Sequence, residues 1–172
     1  MVVTTSRRRP LKNSLTPLFK VLLLKLALGV APWVWADAVR AVTKECIRVE
    51  ERRRGLPEGL LLAIANTESG LNWRALNRNA DGSYDIGVMQ INSRHLPRLQ
   101  QYGITLENLW HPCVNVAVGA FILHEFIAQY GLTWKAVAAY NTGSPDTKPT
   151  AALRYVEKVR DQYVRIALGR VP

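Results

Sequence analysis

Residues 60–92 read LLLAIANTESGLNWRALNRNADGSYDIGVMQIN. Leu61, Ile64, Ala65 and Glu68 recur at i, i+3, i+4 and i+7, one stripe of an α-helix. The stripe is apolar until its last member. A helix that buries its Leu/Ile face carries Glu68 toward the same interior, where poor solvation raises a carboxyl pKa. A carboxylic acid still protonated near neutral pH can give its proton to a leaving group. Periodicity alone also admits a plainer role for Glu68, as one half of an ion pair or a solvated helix end.

The helix gives way to a turn-rich segment, Asn77-Arg78-Asn79-Ala80-Asp81-Gly82-Ser83, in which Asp81-Gly82 is a hairpin signal. Residues 84–92 then predict a strand returning beside the helix end, with Gln90 and Asn92 on the same face. A hairpin there brings Asp85 opposite Glu68. Two carboxyl groups in unlike surroundings are the usual kit for cleaving a glycosidic bond, one kept neutral as the acid and the other ionised.

Three motifs give this segment a likeness. Glu68-Ser69, Gly87-Val88-Met89-Gln90 and Ala139-Tyr140-Asn141-Thr142-Gly143 resemble, in order and spread, the Glu-Ser, Gly-Leu-Met-Gln and Ala-Tyr-Asn-Ala-Gly pattern of the soluble lytic transglycosylases. The spacing of Glu68 and Asp85 is also similar to that of the animal C-type lysozymes. Over residues 42–145 the chain most resembles the small one-domain transglycosylases that accompany type III and type IV secretion and conjugation systems. Val88 and Thr142 depart mildly from the pattern. The resemblance implies a mainly α, lysozyme-like (α+β) fold with a short β-hairpin beside the catalytic helix. It implies peptidoglycan glycan strands as substrate, components of a secretion or conjugation apparatus as partners, and a monomer without cofactor or metal. It further implies Glu68 as catalytic acid, with Ser69, Asp85, Met89, Gln90, Asn92, Tyr140 and Asn141 facing the glycan, and Tyr140 in reach of Glu68 or the sugar. A lysozyme-type hydrolysis using Glu68 and Asp85, and a non-catalytic wall-binding protein, are the competing readings.

The first 36 residues differ in composition from the rest. They hold six Lys/Arg and no Asp or Glu, with Arg7-Arg8-Arg9 ahead of an apolar run broken by Lys25. This is the anatomy of a signal peptide, 1–36, cleaved after Ala36, leaving a domain of residues 37–172 in the periplasm. Ser6-Arg7-Arg8 with Leu11-Lys12 partly resembles a twin-arginine signal, but Pro10 stands where that signal prefers an apolar residue. Export removes most of the formal charge of +10, leaving 17 Lys/Arg against 13 Asp/Glu. That modest surplus, without zinc spacing or an aromatic RNA-binding motif, excludes a nucleic-acid reading.

Elsewhere residues 37–54 predict a first helix with Val39, Val42, Cys46 and Val49 inward. Pro57 opens the helix that bears Glu68. A short helix follows over 93–103. The longest apolar helix runs from Pro112 to about Tyr130 and is apolar nearly all round, as a central helix is. A last helix over 151–168 turns Leu153, Val156, Val159, Tyr163 and Ile166 inward. Trp73, Trp110 and Trp134 are core residues or sugar platforms. His95, His111 and His124 lack metal spacing. Cys46 and Cys113 are the only cysteines. In an exported chain they pair, tying the first helix to the central one.

Overall fold

The computed structural model describes residues 32–170, so the expected leader lies outside the described residues except for 32–36. Two compact units divide between Ala36 and Asp37, and the site lies wholly within the second, Asp37–Pro172.

Helix α1, Pro32–Arg54, ends in Arg52, Arg53 and Arg54, whose charges complement the negative end of the helix dipole. Its buried face carries Thr43, Ile47, Glu50 and Glu51. Val42 and Val49, expected inward, are 55% and 46% exposed. The helix is rotated because Ile47 and the Glu51 carboxylate face the interior. Glu51 accepts hydrogen bonds from the backbone N–H groups of Leu61 (2.8 Å) and Leu62 (3.3 Å). It thereby caps α2, Leu60–Ser69, from a neighbouring helix. Helix α2 begins after Gly59, in a left-handed conformation (φ 83°), rather than at Pro57. Leu60, Leu61, Ala63, Ile64 and Ala65 are buried as the apolar stripe requires.

Three short strands follow, β1 (Leu76–Arg78), β2 (Tyr84–Ile86) and β3 (Ile91–Asn92), antiparallel in the order β1-β2-β3. The single strand expected over 84–92 is therefore two strands joined by a tight turn. The turn exists because a buried side chain claims its backbone. Asn115 accepts from Met89 N (2.7 Å) and donates to the carbonyls of Ile86 and Leu109 (both 2.9 Å). Gly87 permits that approach, since a Cβ there would lie 2.5 Å from Asn115 Nδ2.

A run of short helical turns over 93–102 leads through α3 (Leu96–Leu99) to α4, Pro112–Tyr130. Helix α4 is the expected central element, and Cys113 near its start is disulfide-bonded to Cys46 of α1. Met89 packs on Gly119 of α4, where any Cβ would collide with it at 2.7 Å. Helices α5 (Trp134–Thr142) and α6 (Pro149–Ala167) close the fold, with α5 on α4 and α6 against both α2 and α5. The Ala-Tyr-Asn-Thr motif is thus the last turn of a helix, and the chain reverses only at Gly143. On α6 the buried stripe is Ala152, Tyr155 and Val159, whereas Leu153, expected inward, is 66% exposed.

Candidate active site

A cleft of ≈ 780 Å³ runs between the sheet and helices α4 and α5. Glu68 reaches it from the last turn of α2. Its partner is Tyr155 of α6, whose hydroxyl donates to Glu68 Oε1 at 2.6 Å. Burial raises the Glu68 pKa to about 7; the Tyr155 hydrogen bond opposes the rise, the charge of Asp85 adds to it and Lys158 opposes it. Position adds to this, because the C-terminal end of a helix disfavours an anion. With Tyr155 donating to Oε1, Oε2 is the oxygen left to carry the acidic proton.

Asp85 occupies the middle of a row across the sheet, paired with Asn77 on one side and Asn92 on the other. Both its oxygens are held, Oδ1 by Asn92 Nδ2 (2.7 Å) and Oδ2 by Asn79 Nδ2 (3.1 Å). The two amides also converge on Ser83 Oγ, so the carboxylate is fixed by a network.

Of the residues expected at the glycan, Glu68, Asp85, Gln90, Asn92, Tyr140 and Asn141 line the cleft. Gln90 does so from the turn, with φ 49°, not from a strand. Its amide is spent on Gly87 O (2.8 Å) and on Asn77 (2.5 Å), which holds β1 to the turn. Met89 does not face the cleft: its side chain is fully buried on Gly119, and only its carbonyl matters here, accepting from Tyr140 at 2.8 Å. Tyr140 therefore supports the turn rather than bonding Glu68. Burial first, then the charges of Glu68 and Asp85, push its hydroxyl well above the ordinary range, so it stays a donor. Ser69 is not a cleft residue either. Its hydroxyl donates to Val88 O (2.7 Å), and its oxygen accepts from Asn72 N, locking the end of α2 to the same turn.

Asn77, Asn79, Arg94, His95, Phe126 and Lys148 also line the cleft, all of them outside the three motifs. The asparagines were visible as a polar cluster before the hairpin. Tyr155 was visible only through the i, i+3, i+7 stripe of Ala152, Tyr155 and Val159, which competed with a more apolar one. Trp73, Trp110 and Trp134 are absent from the cleft lining. Trp73 and Trp110 pack against the core, while Trp134 is 39% exposed and meets the Tyr163 ring edge-on.

The transglycosylase SLT domain model matches residues 45–162, which span every element that reaches the cleft. The chain belongs to the transglycosylase SLT family. The enzyme class follows: a lytic transglycosylase. Among curated relatives, this SLT domain is 44% identical over 124 residues to Protein IpgF of Shigella flexneri, covering 72% of this chain and 82% of the relative. It is 37% identical over 134 residues to Invasion protein IagB of Salmonella typhi, covering 77% and 84%. An inactive mutant of the lytic transglycosylase Slt from Pseudomonas aeruginosa superimposes with a TM-score of 0.60 at 22% identity. That match covers 75% of this chain but 25% of the larger one, and shows the lysozyme-like fold.

Proposed function

We infer that this SLT domain cleaves the β-1,4 bond between N-acetylmuramic acid and N-acetylglucosamine with Glu68 as its single acid and base. The reading is carried by one observation: a carboxyl group raised to about 7 opens onto a cleft lined by amides. Glu68 Oε2 gives its proton to the glycosidic oxygen as the bond to the anomeric carbon breaks. The positive charge that develops at that carbon faces a cleft containing Asp85. The C6 hydroxyl of the muramyl sugar then closes on the anomeric carbon, and ionised Glu68 takes the hydroxyl proton. Glu68 is restored and the product carries a 1,6-anhydro end. Tyr155 holds one carboxyl oxygen throughout, so the proton enters and leaves through the other.

Asp85 favours a second reading, because a carboxylate held by two amides in the same cleft is what hydrolysis through a lysozyme-type intermediate requires. Digestion of purified peptidoglycan and mass analysis of the fragments separates the two, since an anhydro end weighs one water less than a hydrolysed end. Anhydro ends support the transglycosylase reading, and hydrolysed ends overturn it. If Glu68→Gln clears walls as fast as wild type, catalysis by Glu68 is excluded; if the wild-type chain binds walls but clears none, both enzymatic readings fail and a wall-binding role replaces them.

The setting is the cell wall of an exported chain. The basic, acid-free opening of residues 1–36 supports export. The resemblance to secretion-associated transglycosylases supports local opening of the wall for a type III, type IV or conjugation apparatus. Strain-level deletion with measurement of secretion across an intact wall tests it; undiminished secretion argues against it.

A further inference from the structure

Helix α4 is apolar nearly all round, yet its surface is not all consumed by the core. Ile122 and Phe126 face the catalytic cleft, whereas Val114, Ala117, Val118 and Phe121 form a separate stripe. That stripe is the floor of a second concavity of ≈ 580 Å³, walled by Leu99, Tyr102 and Ile104 on one side and the end of α1 on the other. Tyr102 stands at its edge 67% exposed, its ring meeting Phe121 edge-on at 6.3 Å. Leu99 and Val118 at its base are buried, so the apolar surface it offers comes from the part-exposed Val114, Ala117, Phe121 and Ile104 and from Tyr102.

The rim is basic. Arg53 and Arg54 line the groove from α1. The guanidiniums of Arg54 and Arg98 lie 5.8 Å and 5.6 Å from the Phe121 centroid. One carboxylate, Glu50, serves both rim arginines: Arg54 at 2.9 Å, and Arg53 only at 3.5 Å, with the Arg53 side chain 70% exposed. Arg98 is paired with Glu125 at 2.7 Å, so the positive surplus that faces solvent rests on Arg53. A helix-lined, apolar trough with cationic edges complements an amphipathic helix whose apolar ridge is flanked by carboxylates.

We propose that this groove docks an acidic amphipathic helix of a partner protein. The partner's ridge lies along Val114, Ala117, Val118 and Phe121, and its carboxylates meet Arg53 and Arg54. The chain's own opening is disfavoured as occupant, because its first 36 residues hold six Lys/Arg and no acid, the same sign as the rim. A second copy would bring an equally basic rim. Docking here uses a stripe of α4 that the cleft does not, so the enzyme can be held and still cut.

The test uses the full chain and two synthetic helices. One has leucines at i, i+3, i+4 and i+7 with flanking glutamates; the other has lysines in place of the glutamates. Binding is read by fluorescence anisotropy and the footprint by amide hydrogen exchange. The glutamate helix should bind about tenfold or more tightly than the lysine helix and protect residues 99–104 and 113–121. Arg53→Glu should reverse that preference, and Tyr102→Ala should weaken both peptides several-fold; each leaves wall-digesting activity unchanged, which shows that the fold is kept. Equal binding of the two helices, a footprint elsewhere, or concentration-dependent protection of the groove without peptide would overturn the proposal. So would Arg53-dependent binding to phosphatidylglycerol vesicles in the absence of any binding to the glutamate helix.

Discussion

Glu51 and Glu68 serve opposite ends of one ten-residue helix, α2, and burial raises the pKa of both. Glu51 meets the N-terminal end. Backbone N–H groups of Leu61 and Leu62 point at it, the helix dipole favours its charge, and its side chain is spent on closing the first turn. Glu68 leaves the C-terminal end. The dipole there disfavours its charge, one hydroxyl holds one oxygen, and the side chain lines the cleft. Burial alone therefore does not make a catalytic acid. The helix end, the number of donors and access to substrate separate a cap from a proton source.

The sharpest way to break that contrast is to neutralise each carboxyl group. Glu68→Gln should lower turnover by about 10²–10⁴-fold, the worth of a general acid, measured as peptidoglycan clearance. The same variant should be more stable than wild type above neutrality. Glu68 binds its proton more tightly folded than unfolded, so its contribution is fully present below the ordinary glutamate value of 4.5 and lost as pH rises through about 7. At about pH 8 the gain should be on the order of 3 kcal/mol, vanishing in acid, as read by denaturant titration.

Next in size is the disulfide that fixes α1, and with it Glu51, to α4. Joining positions 67 apart, it should stabilise the fold by about 4 kcal/mol in the chain-entropy model. Replacing both cysteines by alanine should lower the denaturant midpoint accordingly while the pH dependence of catalysis stays in place. Glu51→Ala should cost about 1–3 kcal/mol by leaving buried N–H groups without an acceptor, again with the pH profile retained in the folded fraction. A loss of turnover at full stability would erase the distinction between the two ends.

The smallest effects are opposed shifts of the Glu68 titration. Tyr155→Phe removes the hydrogen bond that lowers its pKa, and Asp85→Asn removes the charge that raises it. The loss of acid form should therefore move to higher pH in the first variant and lower pH in the second. Carboxyl chemical shifts measure both directly, independent of turnover.

The contrast also marks what could be read without coordinates. Glu68 was legible because a period of 3.6 residues carries a carboxylate inward with its neighbours. The hairpin was legible from Asp81-Gly82, and α4 from its uninterrupted apolar run. Glu51 was not legible, since its role depends on a second helix arriving end-on. The break in the strand was hidden for the same reason: Asn115, 26 residues beyond Met89, takes the backbone that would otherwise have stayed extended. Tyr155 lies 87 residues from Glu68 on a helix with two competing stripes, Ala152/Tyr155/Val159 and Leu153/Val156. Hydropathy favours the second, and only packing against α2 and α5 selects the first. Met89 shows the converse: a motif position read as contact with substrate is a core plug whose carbonyl orders a tyrosine.

Direct titration of the Glu68 side chain in the intact protein, by carbon-13 NMR of labelled glutamate with Glu68→Gln to assign the signal, bears hardest on the account. A midpoint near 7 is expected, with the signal still mostly that of the acid at about pH 6. A midpoint at the ordinary glutamate value, near 4.5, would mean that Glu68 enters the cleft as an anion with no proton to give.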